Sequence, residues 1–216
     1  MKIQILTSQG SWLNLNKKKF VINVVKKFTK KVSVIYNFKK ISKNTNLCII
    51  LSYYKIIPEK YLKLANHNLV VHESDLPKGK GFSPLYWQIL NGKSKIIFTL
   101  FEATKLMDAG QFYFKKKFHF KKTLLFEEIK ELQIKYALEL ISKFIEKYKC
   151  KKFIKLHNQK GKSSFYKKRN KNSSRLNPKR SIEFQMNLMR ICDNNNFPSF
   201  FYYKGKKFNI KISKNN

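Results

Sequence analysis

The sequence predicts an α/β fold: a Rossmann-like, mostly parallel sheet with helices on both faces, followed by a small C-terminal α+β extension. Two observations carry that expectation. Short apolar runs alternate with an amphipathic helical stretch from the first residues onward, the rhythm of β-α-β units. Residues 47–51 are continuously apolar, the pattern of a strand buried on both faces of a parallel sheet.

Residues 2–7 read as the opening strand, and residues 8–12 as the loop after it. Phe20, Val21, Val24, Val25 and Phe28 recur at helical spacing with lysines between them, which predicts an amphipathic helix. Residues 32–36, 47–52 and 68–73 supply the second, third and fourth strands. The fourth runs into the loop 74–81, and Pro84–Leu90 suits a helix with proline in its first turn, ended by Asn91-Gly92. Two further strands are expected at Lys95–Glu102 and 110–120, then a long helix at 124–148. These residues, 1–150, read as the main domain. From 151 to 178 the chain is basic and rich in Ser and Asn, which reads as a mobile linker. A short helix (182–191) and a hairpin around Lys204-Gly205 complete an extension over 151–216. The first strand is not followed by G-x-G-x-x-G, which disfavours a dinucleotide oxidoreductase.

The formal net charge is +35, but only four of the 47 basic residues are arginine: Arg169, Arg175, Arg180 and Arg190. A reader of nucleic-acid sequence is expected to use more Arg, whose fork matches phosphates and guanine edges. Lysine in company with abundant Asn, Ile and Phe reads instead as AT-rich coding on solvated faces, compatible with a taste for anionic substrates. The three cysteines, Cys48, Cys150 and Cys192, lie far apart with no metal-ligand spacing. They point to a reducing compartment and idle thiols. The start lacks the long apolar core of a signal peptide, and the run 47–51 is too short to span a bilayer. A soluble, cytoplasmic protein with no membrane partner is expected.

Only 12 residues are acidic, so the placement of each is informative. Glu73, Asp75, Glu102 and Asp108 all fall at predicted strand ends or in adjacent loops. In open parallel sheets ligands bind at the carboxyl ends of the strands. His72 ends the fourth strand and Asp108 follows the fifth across a short loop, so the two can face each other across one crevice. On spacing alone, a core histidine and a turn aspartate remain an equal alternative.

The segment His72-Glu73-Ser74-Asp75-Leu76-Pro77-Lys78-Gly79-Lys80-Gly81-Phe82-Ser83-Pro84, then Trp87-Gln88-Ile89-Leu90-Asn91-Gly92, Thr99-Leu100-Phe101-Glu102-Ala103 and Asp108-Ala109-Gly110, resembles the formyltransferase family. Order and spacing match across 47–120. The resemblance implies 10-formyltetrahydrofolate as formyl donor, no metal, and His72 and Asp108 as catalytic residues. The family's asparagine, two residues before the histidine, is here Val70. Asn68, another two residues back on the same strand face and roughly 7 Å farther along, is retained as a secondary candidate. Leu51-Ser52-Tyr53-Tyr54-Lys55-Ile56-Ile57-Pro58 resembles the family's folate-lining stretch, implying contacts from Tyr54, Ile56 and Pro58, joined by Thr104 and Met107. Lys78 and Lys80 sit in a Gly-containing loop suited to close approach by an anionic ligand.

The tail adds to this. Phe165-Tyr166 with Arg169, then Asn187-Leu188-Met189-Arg190-Ile191, Phe197-Pro198 and Tyr203-Lys204-Gly205-Lys206-Lys207, resembles the extension of sugar-nucleotide N-formyltransferases of the pseudaminic-acid type. It implies a nucleotide-activated amino sugar as acceptor, with Tyr166, Arg169 and Arg190 on the nucleotide, and is compatible with a homodimer. Two rivals stand beside it. A transfer-RNA formyltransferase suits the charge, although 151–216 is small for a separate RNA-binding domain. A basic nucleic-acid-binding protein without catalysis leaves the His72 to Gly110 constellation unexplained.

Overall fold

The computed structural model describes residues 1–215. The chain opens with β1 (Ile3–Leu6), a π-helical turn (Leu13–Lys17) and α1 (Lys18–Lys26), then β2 (Val32–Ile35), β3 (Thr45–Ile50), the single turn α2 (Glu59–Leu62) and β4 (Ala65–His72). After the two-residue β5 (Lys80–Gly81) come α3 (Pro84–Leu90), β6 (Lys95–Glu102), β7 (Phe112–His119) and the long α4 (Phe126–Lys149). Six strands form one sheet in the order β2-β1-β3-β4-β6-β7. The pairs β1–β2, β1–β3 and β3–β4 are parallel. β4–β6 and β6–β7 are antiparallel.

The parallel half is the predicted β-α-β wind. Its strands Ile3–Leu6 and Leu47–Ile50 are buried because both faces are covered. The cover is unequal. On one face α1, α3 and α4 bury Val21, Val25, Leu85, Ile89, Ile134, Leu138, Ile141 and Phe144 against the sheet, with the 3.6-residue period that makes an apolar stripe. On the other, Leu6, Cys48 and Ile50 meet Ile41, Ile57 and Leu62, carried by short turns and by α2. Burial, and next the charge of Glu102, push the Cys48 thiol up to about 12, so it is an inert core group.

The antiparallel entry of β6 changes how the site is assembled. Leu69 sits opposite Glu102 and His72 opposite Thr99. The end of β6 therefore lies about three residues, roughly 10 Å, short of His72, and the loop 103–108 must travel back along the sheet to reach it.

The segment 151–178 departs from its reading as a mobile linker. His157 exchanges backbone hydrogen bonds with Phe112. β8 (Phe165–Tyr166) pairs in parallel with β5, and Trp87 Nε1 donates to the Lys167 carbonyl at 2.9 Å. A polar stretch without periodicity gives no sequence signal for partners that are backbone groups 45 or more residues away. The segment also holds a 3₁₀ turn (Lys171–Ser174), and beyond it lie α5 (Ile182–Met189) and the hairpin β9 (Ser199–Tyr203) with β10 (Lys206–Ile210), both where the turn and periodicity signals put them. No helix among the described residues is long and apolar enough to cross a membrane.

Candidate active site

His72 closes β4 with its ring buried. Its Nε2 lies 2.8 Å from the Gly79 carbonyl and 3.8 Å from Asp108 Oδ2. A carbonyl oxygen only accepts, so Nε2 carries the proton and donates it. The neutral ring then keeps its lone pair on Nδ1, and becomes a donor there only as imidazolium.

Asp108 reaches this position through a loop with fixed ends. Its φ of +50° lies in the left-handed region, which Asp tolerates better than most residues. Gln159 Nε2 holds the turn by donating to the Asp108 carbonyl at 2.9 Å and the Gly110 carbonyl at 2.8 Å. Gly110 is required by space: a Cβ there would stand 1.7 Å from the Glu102 carbonyl oxygen. Asp108 Oδ2 accepts the Gly81 N–H at 2.8 Å, which leaves Oδ1 open.

The loop 74–81 is clamped from above. Gly79 N–H donates to Ser164 Oγ at 2.9 Å, and Lys80 and Phe82 N–H donate to the Ser164 and Tyr166 carbonyls. Gly79 and Gly81 have φ of +69° and +93°. A Cβ on either would fall 2.8 Å from the Tyr166 ring or 2.6 Å from its carbonyl oxygen. The glycines thus admit the strap 164–166, and the strap holds the carbonyl that orients His72.

A cavity of about 340 Å³ opens beside this pair. Its wall includes His72, Asp108, Val70, Tyr53, Tyr54, Ile56, Thr104 and Met107, and continues to Trp12, Glu73, Tyr86, Lys130 and Gln133. Of the residues the sequence pointed to, His72, Asp108, Tyr54, Ile56, Thr104 and Met107 come together here. Tyr54 and Met107 remain 68% and 44% exposed, an apolar rim that a flat ring would cover.

Other candidates are placed elsewhere, and each displacement has a physical reason. Pro58 precedes the first turn of α2, where its fixed φ serves the helix start. The Asn68 amide donates to the Leu62 carbonyl at 2.9 Å and its Oδ1 is buried without a partner. It therefore braces α2 and stays off the cavity wall. Lys78 is exposed, while Lys80 is buried with its ammonium 5.9 Å from the Phe165 ring; neither lines the cavity. Tyr166 stacks on Trp87 with centroids 6.1 Å apart, and Arg169 donates to the Ser173 carbonyl. Arg190 corrects the reading of it as a nucleotide contact: it is 1% exposed. Its guanidinium donates to Asn187 Oδ1 and to the Lys121 and Leu124 carbonyls, tying α5 to the main sheet's last turn.

Sequence reading missed Gln159, Ser164, Trp12, Tyr86, Gln133 and Lys130. For Lys130 and Gln133 a signal existed. They interrupt the apolar stripe of α4 at positions four and seven after Phe126, where a core helix would carry apolar residues. Burial lowers the pKa of Lys130 and raises that of the Tyr86 hydroxyl well above the usual range.

The model of the family described as Formyl transferase matches residues 18–144. The methionyl-tRNA formyltransferase of Thermotoga neapolitana is 32% identical over 107 residues, 49% of this chain and 34% of that protein. The chain thus spans about a third of the length of this curated relative. Among solved structures, HypX from Aquifex aeolicus in complex with tetrahydrofolic acid superposes with a TM-score of 0.77 at 17% identity, over 98% of this chain and 37% of that one. A 4-N formyltransferase from Francisella tularensis superposes with a TM-score of 0.71 at 16% identity, over 100% and 98%. At these identities the structures speak for the fold, whereas the family model covers more than half of the chain together with His72 and Asp108. The chain belongs to the formyl transferase family.

Proposed function

We propose that this protein transfers a formyl group from 10-formyltetrahydrofolate to the amine of a nucleotide-linked amino sugar. The observation that carries the transfer is the His72–Asp108 pair, 3.8 Å apart, on the wall of one cavity that the folate-type loops also line. The donor fits what is present. Tyr54, Ile56 and Met107 offer uncovered apolar surface beside His72, and a HypX structure of the same fold holds tetrahydrofolic acid.

The residues divide the work as follows. A neutral amine attacks the formyl carbon and the carbonyl oxygen takes up negative charge. The His72 imidazolium donates from Nδ1 to that oxygen, while its Nε2–H stays on the Gly79 carbonyl. Asp108 Oδ1 accepts the proton that the amine loses. As the bond from the formyl carbon to the folate nitrogen breaks, Asp108 passes that proton on to the leaving nitrogen and is a carboxylate again. Val70, standing where the family usually has an amide, offers the oxyanion no second donor. His72 alone carries that load in this chain.

The amino-sugar acceptor is supported by the tail resemblance and by the 4-N formyltransferase that superposes over nearly its whole length. Methionyl-tRNA is the second reading, favoured by the name of the Thermotoga neapolitana relative. Mass spectrometry separates them. Supplied with formyl donor and either UDP- or dTDP-amino sugars or methionyl-tRNA, the protein should add one CO to the sugar. Formylation of methionyl-tRNA alone would replace the first reading by the second.

A further inference from the structure

The cavity extends to both faces of β4. Side chains alternate along a strand, and Val70 packs with the cluster around α2 while Val71 packs with the one around α4. Both line the cavity. Tyr53 and Ala103 belong to the Val70 side, and Trp12, Ile134 and Leu138 to the Val71 side. The chemistry above uses the first side for the donor. The second has as yet nothing to hold.

Two hydrogen-bond donors on that second side lack partners. The Lys130 ammonium lies 5.3, 5.6 and 5.8 Å from the ring centroids of Tyr86, Trp12 and Phe126. No hydrogen bond contributes to its environment, only the more distant charges of Glu73, Glu127 and Asp193. The Tyr86 hydroxyl is buried and unpaired on a residue only 9% exposed. Two of the carboxylates nearby have hydrogen-bond partners of their own. Glu73 Oε1 accepts from Gln133 Nε2 at 2.5 Å, and Asp193 accepts from the N–H groups of Asn195 and Asn196 and from the Asn196 amide. Glu127 is exposed to water. The Lys130 ammonium and the Tyr86 hydroxyl are thus left without partners on this side.

A sugar hydroxyl offers this set only a neutral partner. A group made only of acceptor oxygens, several of them on one centre, uses it fully. We propose that Lys130, with Tyr86 and its unpaired hydroxyl beside it, is a phosphoryl-binding subsite for the acceptor. The aromatic box keeps the ammonium partly dry, which strengthens its pull on an anion relative to a lysine in water. This inference rests on the phosphorylated acceptor read above.

Calorimetry on the full chain tests it with inorganic pyrophosphate, UDP, uridine and transfer RNA. High salt is needed to screen the general attraction of a chain of charge +35 for anions. Wild type should bind pyrophosphate and UDP, and uridine far more weakly. Lys130→Met should weaken pyrophosphate and UDP by about ten- to a hundredfold, the worth of a charge-assisted contact. Lys130→Arg should recover most of that, and Tyr86→Phe should lose up to about tenfold. Tetrahydrofolate affinity should be unchanged in all three, which also reports an intact fold. Equal UDP and pyrophosphate affinity in Lys130→Met and wild type would overturn the subsite, as would no binding of any phosphorylated probe by wild type. Lys130-dependent binding of transfer RNA without UDP would keep the subsite and assign it to a polynucleotide phosphate. Lys130-dependent UDP binding with no amino sugar formylated would keep the subsite and sink the acceptor reading. An amino sugar formylated with an unchanged KM in Lys130→Met would do the reverse.

Discussion

The Gly79 carbonyl fixes the chemistry of His72. Because it takes the Nε2 proton, the donor to the reacting oxygen must be Nδ1–H of the charged ring, with Asp108 3.8 Å away as the proton acceptor. His72→Ala and Asp108→Ala should each lower kcat/KM by at least about a hundredfold, the usual scale of a missing oxyanion donor or proton acceptor. Tetrahydrofolate binding and the thermal transition should survive, and near-normal turnover in either folded variant would refute the assignment. Arg190 belongs to stability instead. Removing it leaves two carbonyls without their donor and a hole the size of a guanidinium. Arg190→Ala should cost about 3 kcal/mol, seen as a lower urea midpoint, with the acceptor KM little changed in what remains folded. Asn68→Ala should likewise be a stability defect, of about 1 kcal/mol.

At the scale of elements, β1 to β4, α1, α3, β6 and α4 were legible in the sequence because burial is written as short apolar runs in the strands and as a 3.6-residue period in the helices. The strap 151–178 was not. Its contacts are backbone pairings and single side-chain bonds, such as Ser164 to Gly79 and Gln159 to Asp108, and these leave no periodic trace. The direction of β6 was also invisible, since parallel and antiparallel strands share one pattern; yet it decides that Asp108 arrives by a returning loop. The candidate site was therefore half legible. Motif residues gave His72 and Asp108, while the groups that hold them came only with the fold. Gln159→Ala should relax the left-handed turn at Asp108 and lower kcat by about tenfold, on the scale of a modest misplacement of a catalytic group. Its tetrahydrofolate affinity should stay within about twofold, since no pocket residue is lost. If turnover of a folded Gln159→Ala protein matched wild type, the strap would have no part in placing Asp108.

At the scale of the whole molecule the charge dominates. Forty-seven basic residues face 12 acidic ones, and Glu73, Asp75, Glu102 and Asp108 lie within 36 residues of the sequence around the site. Most lysines are exposed, where each repels its neighbours and together they set up a positive field. Salt should act on this field in two opposite ways. It screens the repulsion that strains the folded state, so the melting temperature should rise with sodium chloride concentration. It also screens the attraction that draws an anionic acceptor to the cavity, so kcat/KM for that acceptor should fall, while kcat at saturation changes little. The Debye length shrinks from about 30 Å to about 10 Å between 0.01 and 0.1 M salt, so most of both effects should appear in that interval. A lysine surface that is merely solvated, with no part in capture, would give the first effect without the second. A rise in melting temperature with a flat kcat/KM would thus confine the charge to a cost in stability and leave acceptor capture to local groups such as Lys130.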